Sequence, residues 1–163
     1  SFPSSLIPTF GVSATRAEET LSISTSGWIT SNTGAMFAKF SQPYVDSTSA
    51  THGVATTDGL ARWIYTIQGA VRAYDGTTVR GGPTYTANTQ MKAVLALIGG
   101  NMRQSVNGSV VGVSVFDGTM TPDATLQVGS QFGPNTKLNG WVKEIRYYPA
   151  GSPSDAQLQA LTA

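Results

Sequence analysis

The clearest signal in the chain is a period of two. In residues 20–26, Leu21 and Ile23 alternate with Thr20, Ser22 and Ser24. Successive side chains of a strand point to opposite faces, so this spacing predicts a strand with one buried face. The same logic predicts a strand at 34–40, where Met36, Ala38 and Phe40 oppose Phe37 and Lys39. Residues 53–57 are a short candidate strand. Residues 61–68 set Arg62, Ile64, Thr66 and Gln68 against Trp63, Tyr65 and Ile67. Gly69 allows a tight turn, and residues 70–74 return as the hairpin partner. Asp75-Gly76 is a type I′ turn signal. The run 90–98, Q-M-K-A-V-L-A-L-I, has helical propensity. Its surroundings read as a β-meander, so a central strand buried on both faces is expected instead. Residues 102–106 pair back, Asn107-Gly108 turns, and 109–115 and 125–129 supply further strands. Asn139-Gly140 leads into a last strand at 141–148.

One helix is expected after the breaker at 149–153. Ser154 can accept from the free N–H groups of its first turn, and Gln157 can close a capping box. Leu158 and Leu161 share a face. The helix is too short to stand alone, so it must dock, and a sheet edge or rim is the expected place. With roughly ten to twelve short strands and turns about every 8–12 residues, the pattern is that of an all-β sandwich or jelly roll.

Composition narrows the function. The 163 residues make one domain's worth, enough to bury about two thirds of the unfolded surface. Charged residues are 12%, against a norm of about 25%. The net charge is +1 without a basic stripe, so nucleic acid is not an expected partner. No apolar run reaches the roughly 18 residues a spanning helix needs. The absence of cysteine removes disulfides, thiolate metal sites and a cysteine nucleophile. Residues 1–19, with Pro3 and Pro8, read as an extended lead-in or linker and 20–163 as the domain. The abrupt start at Ser1 suggests a chain cut from a longer polypeptide.

From Lys92 onward the residues resemble the concanavalin A-like (laminin-G-like) jelly rolls. The matching pieces are a core strand ending in Gly99-Gly100, the hairpin at Val106-Asn107-Gly108, T-L-Q-V-G-S (125–130), and N-G-W-V-K-E-I-R-Y-Y-P followed by S-D-A-Q-L-Q-A-L. Within that family the chain is similar to C-terminal domains of tailed-phage virion proteins, tail fibres included. There, segments like S-L-I-P-T (5–9) and A-T-R-A-E-E (14–19) precede the lectin-like domain. The match is poor across the middle third. The resemblance implies a concanavalin A-like β-sandwich with one short C-terminal helix. It also implies a place on an extracellular virion, other virion proteins as partners and, by analogy with tail fibres, a homotrimer. It does not fix a function, because function resides in sites grafted on folds.

Hydrolytic members of such a family carry carboxylates in an E-x-D-x-x-E strand, where alternation puts acid and nucleophile on one face. No such cluster occurs among the nine acids. Asp58, Asp75, Asp117, Asp123 and Asp155 sit in turn-like contexts. Glu144, close to Lys143 and Arg146, reads as an ion-pair or sheet-edge residue. His52, the sole histidine, lies in a polar loop (45–52) without a nucleophile elbow. No D-x-D-x-D/N calcium loop appears, so neither metal nor cofactor is expected. The aromatic residues are the better lead, because sugar C–H faces stack on rings while planar polar groups hold hydroxyls. Candidate ligand contacts are Arg62, Trp63, Tyr65, Arg72, Tyr74 and Asp75 on the 61–75 hairpin, with Tyr44 and His52 beside it. Trp63 and Tyr65 in line with Ile67 also look like a core stripe. The expected function is a non-catalytic, lectin-like domain of a phage virion protein that binds a bacterial surface glycan. The alternatives are a carbohydrate-binding module of a polysaccharide-degrading enzyme and a purely structural decoration domain.

Overall fold

The structure, a computed structural model, describes residues 21–29, 33–57, 62–75, 77–116, 125–130, 136–149 and 153–163. The lead-in at 1–19 lies outside these. The described strands are β1 (Leu21–Ser24), β2 (Gly34–Ser41), β3 (His52–Thr56), β4 (Arg62–Ile67), β5 (Ala70–Tyr74), β6 (Val79–Thr84), β7 (Met91–Ile98), β8 (Asn101–Val106), β9 (Gly112–Val115), β10 (Thr125–Val128) and β11 (Trp141–Tyr148). Among the described residues one helix, α1 (Asp155–Thr162), follows. Two antiparallel sheets result. One runs β1-β10-β3-β4-β5-β6 and the other β11-β2-β7-β8-β9.

Alternation explains the core. Met36, Ala38 and Phe40 of β2 and Met91, Ala93, Leu95 and Leu97 of β7 point between the sheets. They meet Val54, Trp63, Ile64, Val71, Ala73 and Leu126 from the facing sheet. The opposite faces of β2 and β7 carry Ala35, Phe37, Val94 and Ala96, and Leu158 of α1 closes over them. That second covering is why 90–98 reads as an unbroken apolar run: β7 is a central strand buried on both sides, as expected.

The helix begins as its sequence predicts, with Ser154 and Gln157 forming a capping box. Its place differs from the expectation of an edge or rim. It packs across β7 and β8 on the outer face of the second sheet. An ion pair of 2.7 Å between Arg103 and Asp155 pins its first turn, and Lys92 Nζ donates to the Ala163 carbonyl. The apolar outer stripe needs a cover, and this decides the docking.

Three other expectations change. Leu21 and Ile23 alternate as predicted, yet they are 60% and 46% exposed, because β1 is an edge strand paired only with β10. In β4 the pairing shifts between Arg62 and Tyr65. This bulge turns both Trp63 and Ile64 into the core, so Trp63 and Tyr65 do not share a face. His52 is the first residue of β3 and is buried, not part of a polar loop.

Gln104 on β8 is buried, and both its side-chain oxygen and nitrogen lack a hydrogen-bond partner. An unpaired buried amide costs about 1–3 kcal/mol. Gln104→Leu, of similar volume, is therefore expected to raise the unfolding free energy by about 1 kcal/mol in urea titration. Destabilisation would show that the amide is satisfied in solution.

Candidate functional site

Three connections converge at the end of the sandwich where β4 turns into β5. They are 42–51 after β2, 85–90 after β6, and 136–140 before β11. Two buried side chains bind them together. Gln42 donates from Nε2 to the Leu138 carbonyl at 2.9 Å and accepts from Thr66 Oγ1 at 2.9 Å. The Gln42 carbonyl accepts from the Asn88 N–H at 2.7 Å. His52 Nδ1 lies 2.8 Å from the Lys137 carbonyl, and Nε2 lies 2.6 Å from Asp46 Oδ2. Both His52 partners are oxygen acceptors, so each ring nitrogen faces a group that can accept a hydrogen bond from it. The Gly53 N–H adds a bond of 3.1 Å to the Thr136 carbonyl.

This frame supports a surface. Tyr44, half-buried, meets the His52 ring edge-on with centroids 6.2 Å apart. Asn139 Nδ2 reaches the Tyr44 hydroxyl at 3.4 Å. Asn88 and Asn139 are exposed and adopt φ of 59° and 47°, left-handed positions that Asn tolerates. Tyr85 is buried nearby, and burial pushes its hydroxyl's pKa up, against the opposing pull of the Asp46 backbone and the Thr66 side chain.

Hydrogen bonds from the Thr48 side chain, then from His52 and the Thr48 backbone, hold the Asp46 carboxyl at about 2, below its ordinary 3.8. A depressed carboxyl stabilises the fold above its unfolded value, and that contribution fades as pH falls toward the folded one. Wild type should therefore lose thermal stability relative to Asp46→Asn between about pH 4 and pH 2. Parallel melting curves across the window would remove Asp46 from the anchor.

The other sequence candidates fall into two groups. Trp63 is fully buried in the core and presents no face to a ligand. Asp75 is buried and its Oδ1 accepts from the N–H groups of Thr77 and Thr78 at 2.8 and 2.6 Å. It therefore stands before the turn instead of at its centre. Arg62, Tyr65, Arg72 and Tyr74 remain neighbours along the ladder: the register pairs Arg62 with Tyr74 and Tyr65 with Arg72, and Tyr65, Arg72 and Tyr74 share the face opposite the core residues Val71 and Ala73. Tyr65 is buried there, whereas Arg72 and Tyr74 are half-buried. Sequence reading missed Gln42, Asp46, Asn88, Tyr85 and Asn139. A signal was present for the two Asn residues, since Asn in turn-like segments marks left-handed positions.

Glu144 pairs with Arg146 on β11. The Arg146 pKa is raised, first by a hydrogen bond with Tyr148 and then by Glu144. Among the described residues no group of three His, Cys, Asp or Glu could hold a metal, and no helix is long and apolar enough to cross a membrane.

No protein-family model and no curated protein matches the chain. Solved structures do. The CBM40 domain of the Ruminococcus gnavus IT-sialidase, bound to α2,3-sialyllactose, aligns with a TM-score of 0.59 at 12% identity, over 80% of this chain and 83% of that one. Mouse laminin α1 domains LG4-5 align at 0.62 and 11%, over 80% of this chain and 39% of that one. Domain 4 of AbnA, a Geobacillus stearothermophilus arabinanase, in complex with arabinotriose aligns at 0.59 and 17%, over 84% and 69%. These likenesses fix the fold as a concanavalin A-like, laminin-G-like jelly-roll sandwich.

Proposed function

We propose that the chain is a non-catalytic carbohydrate-binding module whose loop face around Tyr44 receives the glycan. The observation that carries this reading is the frame beneath that face. Buried Gln42 and His52 lock three connections into one arrangement before any ligand arrives. A preorganised surface avoids the entropy of ordering loops on binding. Tyr44 then supplies a ring for the apolar face of a sugar, and the amides of Asn88 and Asn139 supply donors and acceptors for hydroxyls. The bound sialyllactose and arabinotriose of two structural neighbours support the same reading.

The four described acids are engaged elsewhere: Asp46 with His52, Asp75 in its turn, Glu144 with Arg146 and Asp155 with Arg103. Among the described residues none is left to pair as acid and nucleophile for glycoside cleavage.

The setting comes from the sequence resemblance: a domain on a phage particle, assembled with other virion proteins as a homotrimer and facing a bacterial surface glycan. A second setting, a module of a polysaccharide-degrading enzyme, is favoured by the sialidase and arabinanase domains among the neighbours. In both settings the loop face does the binding. A glycan array probed with the full chain tests it. A saccharide hit should weaken about tenfold in Tyr44→Ala, as for a modest hot-spot residue. An array with no hits sinks the reading.

A further inference from the structure

The outer face of the first sheet holds a guanidinium, Arg72, without an ion-pair partner among the described residues. Cross-strand register places Tyr65 beside Arg72 and Arg72 beside Gly81. In the next row it places Arg62 beside Tyr74 and Tyr74 beside Val79. Arg72 and Tyr74 are two apart on β5, so they stand on one face. Val71 and Ala73 between them point into the core.

Two features make this face more than an ordinary exposed arginine. First, the Arg72 side chain makes no ion pair or hydrogen bond among the described residues, unlike Arg103 and Arg146, which are both paired. No described carboxylate is spare to face it, since Asp75, on the same hairpin, is buried and committed to its turn. Second, Gly81 beside it is exposed, and a Cβ built there would meet nothing within 4 Å. The sheet is therefore open beside the guanidinium and closed on the other side by buried Tyr65. Tyr74, half-buried, adds a phenol on the same face.

We propose that this face is a subsite for a sugar residue bearing a carboxylate, a uronic-acid type of unit. The planar guanidinium of Arg72 donates two parallel hydrogen bonds side-on to a carboxylate. The gap above Gly81 leaves room for the ring that carries it, and Tyr74 lies alongside. The inference rests on the reading that the chain binds saccharides and assigns it a chemical class, acidic glycans. It concerns a face separate from the loops around Tyr44.

The test is an amide-resolved NMR titration of the full chain at constant ionic strength. The probes are methyl glucuronoside, methyl glucoside and sodium acetate. Saturable shifts at Arg72, Tyr74 and Gly81 are expected with the glucuronoside, at an affinity about tenfold above the glucoside, the ordinary worth of one charge-assisted hydrogen bond. Arg72→Gln should erase that preference without changing the melting temperature. Acetate should shift the same amides more weakly, since it lacks the ring. The proposal is overturned by equal response to acid and neutral sugar, by an acetate response that matches the glucuronoside, or by no saturable shift on β5 and β6. Amides of Tyr44, Asn88 and Asn139 report the loop face in the same spectra. Their response without β5 and β6 defeats this subsite alone, and the converse defeats the loop face alone.

Discussion

Trp63→Ala should destabilise the domain by about 3–5 kcal/mol, the range for removing a large aromatic from a core. Total stabilities run at about 5–15 kcal/mol, so the variant is expected to be partly unfolded at room temperature. The indole is fully buried between the sheets. It meets Tyr147 of the opposite sheet edge-on at 5.9 Å, with the rings 87° apart. No small shift of β4 could fill the space, because the bulge holds Ile64 in the same layer. Trp63→Phe should cost far less, about 1 kcal/mol, since it keeps an aromatic in place and also removes an indole N–H that is buried without a partner. Urea denaturation of both variants measures the two costs. The Phe variant should also retain wild-type saccharide binding, because the residue lies in the core. Lost binding with full stability would return Trp63 to the ligand site.

Gln42→Ala should have the next largest effect, and it should act on binding and stability together. The side chain is fully buried, and it satisfies both the Leu138 carbonyl and the Thr66 hydroxyl. Each partner left unpaired in the interior costs about 1–3 kcal/mol, so the sum is about 2–6 kcal/mol. Unlike Trp63, Gln42 ties the 136–140 connection to the sheet. Hydrogen exchange should therefore accelerate at 136–140 in Gln42→Ala beyond the global loss of stability. Affinity for any glycan hit should fall, although Gln42 itself has no exposed surface to touch one. Uniform acceleration across all strands would mean that Gln42 is an ordinary core residue.

How much of this could be read in advance depends on the physics involved. Period-two alternation located the strands well, since each strand's burial follows from its own residues. The two-sided burial of β7 and the capping box of Ser154 and Gln157 were legible for the same reason. Alternation failed where one extra residue entered the ladder. The bulge in β4 reverses the phase after Trp63, and no local pattern marks it. It also failed at β1, where being an edge strand, a fact of topology, leaves Leu21 and Ile23 exposed. The candidate site was half legible. Tyr44 and His52 stood out as an aromatic and the lone histidine, but the role of His52 as an anchor depends on the Lys137 carbonyl 85 positions away. Gln42 is a polar residue just past a strand end, and nothing in its neighbourhood announces that it will be buried against Leu138. Long-range polar ties of this kind set the shape of the loop face around Tyr44.

The central claim is that the locked loops around Tyr44 form a saccharide-binding face. Its most direct measurement is an amide-resolved titration of the full chain with an oligosaccharide drawn from the glycan array. Saturable shifts are expected to concentrate at Tyr44, His52, Asn88 and Asn139, with the midpoint moved to about tenfold higher concentration in Tyr44→Ala. Saturable shifts confined to other parts of the sandwich, with these four residues unmoved, would contradict it.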